Sequence, residues 1–197
     1  ARRAAAALAN GDRLTVVKGR GPAPGWTGKL HAVKHGIAAA EAELTPPDYL
    51  LLTDADIEHA PDTLRWLVGQ AESRGLVLTS FMARLRCDSL VERIHVPAFI
   101  FFFQMLFPFA WVNRPSHPAA AAAGGCILVR TDALARAAGI EAIRGALIDD
   151  CALGEKMKAQ GPIWLGLTRR AHSIRPYESW DEARRMVSRS AYAQLRY

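Results

Sequence analysis

Tyr49-Leu50-Leu51-Leu52-Thr53-Asp54-Ala55-Asp56 decides how this chain is read. Four apolar residues in unbroken succession suit a strand covered on both faces, as in a parallel sheet wrapped by helices. Open α/β sheets bind ligands at the carboxyl ends of their strands, and this strand ends in two carboxylates at i and i+2. Pro46-Pro47 breaks the chain ahead of it. Behind it, Pro61 opens a helix that runs to Gly75, and residues 76–80 form another strand.

The same alternation extends both ways. Upstream, residues 14–17 read as a short buried strand, followed by a Gly/Pro-rich loop over 19–28 and a helix over 29–43. Downstream, residues 126–129 form a strand and Thr131 caps a helix over 132–138. Ile148-Asp149-Asp150 opens a helix over 151–160, and residues 163–167 form a further strand. Strands alternating with helices predict a sheet flanked by helices. No internal repeat is present.

Several function classes drop out on composition. With 197 residues, half of them hydrophobic, the chain can bury one good core, and one domain is expected. Cys87, Cys126 and Cys151 are odd in number and widely spaced, which excludes a disulfide framework and a CxxC zinc site and favours a reducing compartment. Each reads as a small buried hydrophobe. The net charge of +6 fits an anionic partner: a phosphate-bearing substrate, nucleic acid or an acidic membrane surface. The opening Ala1-Arg2-Arg3-Ala4 run reads as a helix already under way, stopped at Asn10-Gly11. It lacks the features of a signal peptide, so the sequence reads as a piece of a longer chain.

One segment breaks the rhythm. Residues 97–112 are almost continuously apolar and aromatic, interrupted by Gln104 and Pro108. A bilayer-spanning helix needs about 20 apolar residues, so the segment is short for a crossing, and Pro108 kinks it. A buried core helix and an interfacial membrane segment both fit. The end of the chain is basic, with Arg169, Arg170, Arg175, Arg184, Arg185, Arg189 and Arg196 set among Trp180, Tyr192 and Tyr197. That suits a phosphate-rich ligand or an anionic membrane face, and equally a solvated helical face.

Three motifs carry candidate chemistry. Asp54 and Asp56 supply paired hard oxygen ligands for Mg²⁺ or Mn²⁺ bound together with substrate phosphates, or else a turn cap and a solvated side chain. In Gly25-Trp26-Thr27-Gly28-Lys29, Gly28 permits close backbone approach, and Lys29 adds a charge for a phosphate at a helix start. Ordinary loop punctuation fits as well. Asp149-Asp150 complement a helix dipole or, facing a cleft, provide a general base. Gly124-Gly125 allow a sugar or acceptor to approach the backbone, or allow tight packing. The six histidines are scattered; His172, at a strand end, is the one to follow.

The order of these features resembles the family 2 glycosyltransferases of the GT-A fold. The strings GWTGKL, YLLLTDADIEHAPDTL, PAFIFFFQMLFPFAWVN, AAAAGGCILVR, LIDDCALGEKMK and SAYAQLRY resemble most the hopene-associated glycosyltransferases of bacterial hopanoid clusters. The resemblance implies a GT-A-type, Rossmann-like α/β fold with a mixed, mostly parallel sheet, its N-terminal strands lying upstream of Ala1. It implies one glycosyltransferase catalytic domain over 1–197, with an interfacial segment at about 97–112.

By that resemblance Asp54 and Asp56 hold the metal and donor diphosphate, and Gly28, Lys29 and Arg189 assist the donor. Gly124 and Gly125 line the acceptor, and Asp150, paired with Asp149, is the base. An inverting transfer from a nucleotide sugar, a UDP-sugar above all, to a lipid-like acceptor is implied. So is a place on the cytoplasmic side of a bacterial inner membrane, with no nucleic-acid partner. The chain departs from the pattern at Asp149-Asp150, where Glu-Asp is usual, at Ala152, and in lacking a literal QxxRW. A nucleotidyltransferase and a non-catalytic membrane-binding module are the competing readings.

Overall fold

The computed structural model describes residues 14–177 and 179–194, with the side chains of 189, 190, 193 and 194 outside that description. The helix expected over 1–9, its Asn10-Gly11 stop, Arg196 and Tyr197 lie outside the described residues, as does the side chain of Arg189. In chain order the elements are α1 (Gly28–Glu41), β1 (Tyr49–Thr53), β2 (Ile57–His59), α2 (Thr63–Arg74), β3 (Leu78–Arg84) and α3 (Leu90–Leu106). Then follow α4 (Phe109–Val112), β4 (Cys126–Arg130), α5 (Thr131–Arg136), a 3₁₀ turn (Ile140–Ile143), α6 (Asp149–Lys158), β5 (Ile163–Ser173) and α7 (Trp180–Gln194).

One five-stranded sheet runs in the order β1-β4-β3-β5-β2. Side chains alternate across it with the period of two that a pleated strand imposes. Leu50, Leu52, Ile127, Val129, Leu78, Met82, Ile163 and Leu165 join the larger core, covered by α1, α3, α4, α5 and α6. Tyr49, Leu51, Cys126, Leu128, Phe81 and Trp164 face the other way, onto Leu67 and Ala71 of α2. Helices on both faces are what the alternating pattern predicts.

The expected mostly parallel sheet does not form. Among the described residues only β3 and β5 pair in parallel; β1–β4, β4–β3 and β5–β2 are antiparallel. Path explains it. The chain after α4 stays at the carboxyl end of β1, so β4 starts with Cys126 opposite Thr53 and runs back along it. Ser80 fixes that entry, accepting the N–H of Ala123 at 2.9 Å and donating to the carbonyl of Cys126 at 3.1 Å. Among the described residues β1 is therefore an edge strand, not a central parallel one.

Two local readings are also corrected. Residues 14–17 form no strand among the described residues, and Leu14 and Val17 are 47% and 42% exposed. Thr131 begins α5 but does not cap it, because its hydroxyl donates to the carbonyl of Pro47 at 2.6 Å, tying α5 to the turn before β1. The stop at Gly75 forms as read, with a left-handed φ of 59° and its N–H bonded to the last turn of α2.

Residues 90–112 fold as α3 and α4, separated where Pro108 follows Phe107. Val91, Val96, Phe103 and Val112 are buried, whereas Ile94, Phe101, Met105 and Trp111 are 50%, 67%, 61% and 51% exposed. Leu90–Val112 is long and apolar enough to cross a membrane, with a mean hydropathy of 1.6. Only 11% of its most apolar window is buried, so the segment covers the core with one side and leaves the other uncovered. Ser89 and Glu92 make a capping box at its start. Lys158 of α6 holds its far end by donating to the carbonyls of Val112 at 2.8 Å and Ala119 at 2.5 Å.

Candidate active site

The site grows from the end of β1. Thr53 closes the strand, and its hydroxyl contacts the carbonyl of Gly125 at 2.8 Å and His59 Nε2 at 2.9 Å. β1, β2 and β4 are thereby bound together around the Asp54-Ala55-Asp56 turn. Burial holds the His59 imidazole below its usual pKa, which favours a neutral ring at this junction. Sequence reasoning passed over Thr53 and His59, whose pairing comes only from the turn that joins β1 to β2.

α1 brings Lys29 to this turn. Thr27 is its N-cap, accepting the N–H of Leu30 through its hydroxyl at 3.3 Å. Gly28 opens the helix, but a Cβ there would meet nothing within 4 Å, so no close approach demands glycine at this position. Lys29 Nζ sits 3.0 Å from Asp54 Oδ1 and 3.0 Å from Asp149 Oδ2. Burial alone would lower its pKa; Asp149, and after it Asp54, outweigh burial and leave it raised. The side chain is 47% exposed, so each ion pair is worth only about 0–1 kcal/mol in stability, and its value is positional.

α6 brings the acidic pair. Asp150 Oδ2 accepts the N–H of Gly124 at 2.8 Å, and its Oδ1 accepts the N–H of Cys151 at 2.8 Å. A Cβ on Gly124 would come within 3.2 Å of Asp150 Oδ2 and 3.4 Å of Lys29 Nζ, so the missing side chain lets α6 and α1 close on this backbone. One turn later Gly154 does the same for the helix as a whole: a Cβ there would stand 2.7 Å from the Ala121 carbonyl carbon. Burial, and then the charge of Asp149, raise the Asp150 carboxyl above its ordinary range, against the pull of the two N–H donors and Lys29.

A cavity of about 350 Å³ opens at this cluster, with Lys29, Asp54, Gly124, Asp149 and Asp150 at its polar end. Leu30, Val33, Ile37, Leu50 and Leu52 are among its apolar walls, between α1 and β1. The structure thus gathers five of the residues expected from sequence. Gly125 stands apart and serves packing, since a Cβ there would meet Ile57 at 3.1 Å and Ala83 at 3.3 Å. Asp56 is partly exposed, and its carbonyl accepts the N–H of Ile174 at 2.9 Å. His172, at the end of β5, pairs with Glu58 at 3.2 Å.

No group of three His, Cys, Asp or Glu side chains converges to hold a metal among the described residues. Asp54 and Asp149 do converge on one point, and an ammonium occupies it. Two carboxylates are too few for an all-protein cage. They fit the open kind of Mg²⁺ or Mn²⁺ site that substrate phosphates complete.

A mixed sheet with an edge strand leading into aspartates, faced across a cavity by a lysine and a second acidic pair, forms a polar cleft at the carboxyl end of β1. The chain belongs to glycosyl transferase family 21, whose family model matches residues 13–190. It is similar to the crystal structure of mannosyl-3-phosphoglycerate synthase from Rubrobacter xylanophilus, with 15% identity and a TM-score of 0.42 over 85% of this chain and 49% of that one. It is also similar to glucosyl-3-phosphoglycerate synthase from Mycobacterium tuberculosis in complex with phosphoglyceric acid, with 18% identity and a TM-score of 0.45 over 94% and 57%. The chain thus spans about half the length of these solved structures. No curated protein matches it.

Proposed function

We propose that this chain carries the catalytic part of an inverting glycosyltransferase that moves a sugar from a nucleoside-diphosphate donor, a UDP-sugar above all, to a lipid-like acceptor. The carrying observation is the convergence of Lys29, Asp54, Asp149 and Asp150 on one cavity mouth. Lys29, placed by the N-terminal turn of α1, puts a positive charge where a diphosphate would lie. Asp54, with Asp56 from the same turn and Asp149 across the cleft, would hold the divalent cation, which would offset negative charge on the departing diphosphate.

Asp150 acts as general base. Fixed by two backbone N–H groups, it takes the proton of the acceptor hydroxyl as that oxygen bonds to the anomeric carbon. The bond from that carbon to the diphosphate breaks in the same displacement, and the nucleoside diphosphate leaves with the electron pair. A raised pKa suits the task, because a stronger base accepts the proton more readily.

The exposed stripe of Ile94, Phe101 and Met105 supports placing the protein at a membrane surface, with the catalytic face on the cytoplasmic side. The hopene-associated wording of the sequence fits an acceptor drawn from that membrane. The test is Mn²⁺-dependent binding of UDP-sugars to the full-length protein by calorimetry, with Asp54→Ala and Asp56→Ala as controls. Binding that needs the metal and both aspartates is expected. A folded protein that binds no nucleotide sugar under any metal condition sinks the reading, and leaves the membrane-binding module as the better account.

A further inference from the structure

At the carboxyl ends of β3 and β5 the sheet opens into a groove of about 770 Å³, whose lining includes Met82, Arg84, Val96, Ile100, Leu167 and Arg169. Its cause is legible in the register. The two strands pair in step from Leu78–Ile163 to Met82–Leu167, and then the ladder slips until Arg84 faces His172. Two steps along β3 are matched by five along β5. The extra residues of β5 spread the sheet at the end where open α/β sheets bind ligands.

The charges in this groove are unbalanced. Nearby cations are committed elsewhere: Arg86 to Asp88 at 2.9 Å and Arg170 to Asp62 at 3.0 Å. Arg84 and Arg169 line both the groove and the adjoining recess that reaches His172 and Ile174, and neither forms an ion pair among the described residues. Two guanidiniums in one concavity repel each other, and a bound anion turns that repulsion into bidentate hydrogen bonding.

The opposite wall is apolar. Val96 and Ile100 come from α3, and Leu167 is 62% exposed. Phe101, the next residue on α3, belongs to the uncovered stripe with Ile94 and Met105. A ligand with its charged end between the arginines therefore has hydrocarbon surface along its other end, continuous with a face that suits a bilayer.

We propose that this groove is a binding site for a phosphate-bearing amphiphile, with Arg84 and Arg169 on the headgroup and Val96, Ile100 and Leu167 along the hydrocarbon. The site is separate from the Lys29–Asp54–Asp149 cluster and does not depend on the glycosyl-transfer reading. Ala83 lines the groove and packs on Gly125, and Ile174 donates to the carbonyl of Asp56, so the two sites share a wall.

The test uses the full-length protein and three probes: monomeric octyl phosphate, octyl glucoside as its neutral twin, and inorganic phosphate. Octyl phosphate should bind at least tenfold more tightly than octyl glucoside. It should weaken about tenfold for each of Arg84→Gln and Arg169→Gln, as expected for charged hydrogen bonds, and recover only in part with lysine at both positions, which restores the charge but not the bidentate fork. Leu167→Asp, at an exposed position, should weaken octyl phosphate while sparing inorganic phosphate.

Competition by millimolar inorganic phosphate would show that the headgroup alone is recognised; its failure to compete would assign the site to a lipid. Both outcomes keep the arginine grip. Equal binding of octyl phosphate and octyl glucoside, or undiminished binding by the folded double glutamine variant, overturns it. Asp54→Ala should abolish donor binding and leave octyl phosphate binding intact, so the two ideas fail separately.

Discussion

Replacing Glu92 by Gln should destabilise the protein by about 2–3 kcal/mol at neutral pH. Glu92 is 1% exposed and lies at the first turn of α3. Its carboxylate accepts three backbone N–H groups: Asp88 at 2.8 Å, Ser89 at 2.9 Å and Tyr177 at 2.9 Å. The Tyr177 N–H first, and then that of Ser89, hold its carboxyl at about 2 against an ordinary 4.5. At about 1.36 kcal/mol per pH unit, that gap corresponds to about 3.4 kcal/mol of preference for the charged form in the folded state. Two loops rather than deep core cover the carboxylate, so water screening trims the figure to about 2–3 kcal/mol.

The sign follows from the depressed pKa. The stabilisation is fully present above pH 4.5 and is lost as the pH falls through about 2. The glutamine, with no charge to lose, lacks this dependence. The assay is unfolding of wild type and variant from pH 7 to pH 2.5. The midpoint should drop by about 5–10 °C at pH 7 for a domain of this size, with the difference shrinking below pH 4.5. A difference under about 0.5 kcal/mol at pH 7, or one unchanged at pH 3, refutes the reasoning.

Other outcomes are expected. Asp150→Asn should lower the transfer rate at least about 100-fold while leaving donor binding nearly unchanged. In the wild type the rate should fall with decreasing pH along a limb lying above the ordinary carboxylate range, because the raised group must be ionised to act; the limb disappears if Asp150 is the base and is removed. Gly154→Ala should destabilise by about 1–3 kcal/mol, measured by denaturant unfolding, since its Cβ meets the Ala121 backbone at 2.7 Å. Phe101→Asp with Met105→Asp should reduce sedimentation with anionic vesicles several-fold without lowering the unfolding midpoint, as both side chains are more than half exposed.

Much of the candidate site was legible because its residues sit at ends of elements, which local chemistry marks. Lys29 lies just inside a capped helix, Asp54 just past an apolar strand, and Asp149-Asp150 at a helix start. Each of those boundaries can be read from a few neighbours. Thr53 and His59 were not legible, because their contact depends on how the turn after β1 folds back. Arg169 was marked only as part of the basic stretch, and its meeting with Arg84 was opaque, since only a slip in the β3–β5 ladder makes them neighbours across a groove.

By itself the sequence determined the class of the fold, most element boundaries and the chemical types at the cavity mouth. Capping, turn residues and apolar periodicity act over a few residues and leave their mark on the chain. The tertiary structure alone decided the direction of β4, the edge position of β1 among the described residues and the exposure of one side of α3. Strand direction and burial depend on which distant segment arrives alongside, and an identical apolar run satisfies its hydrogen bonds in either direction.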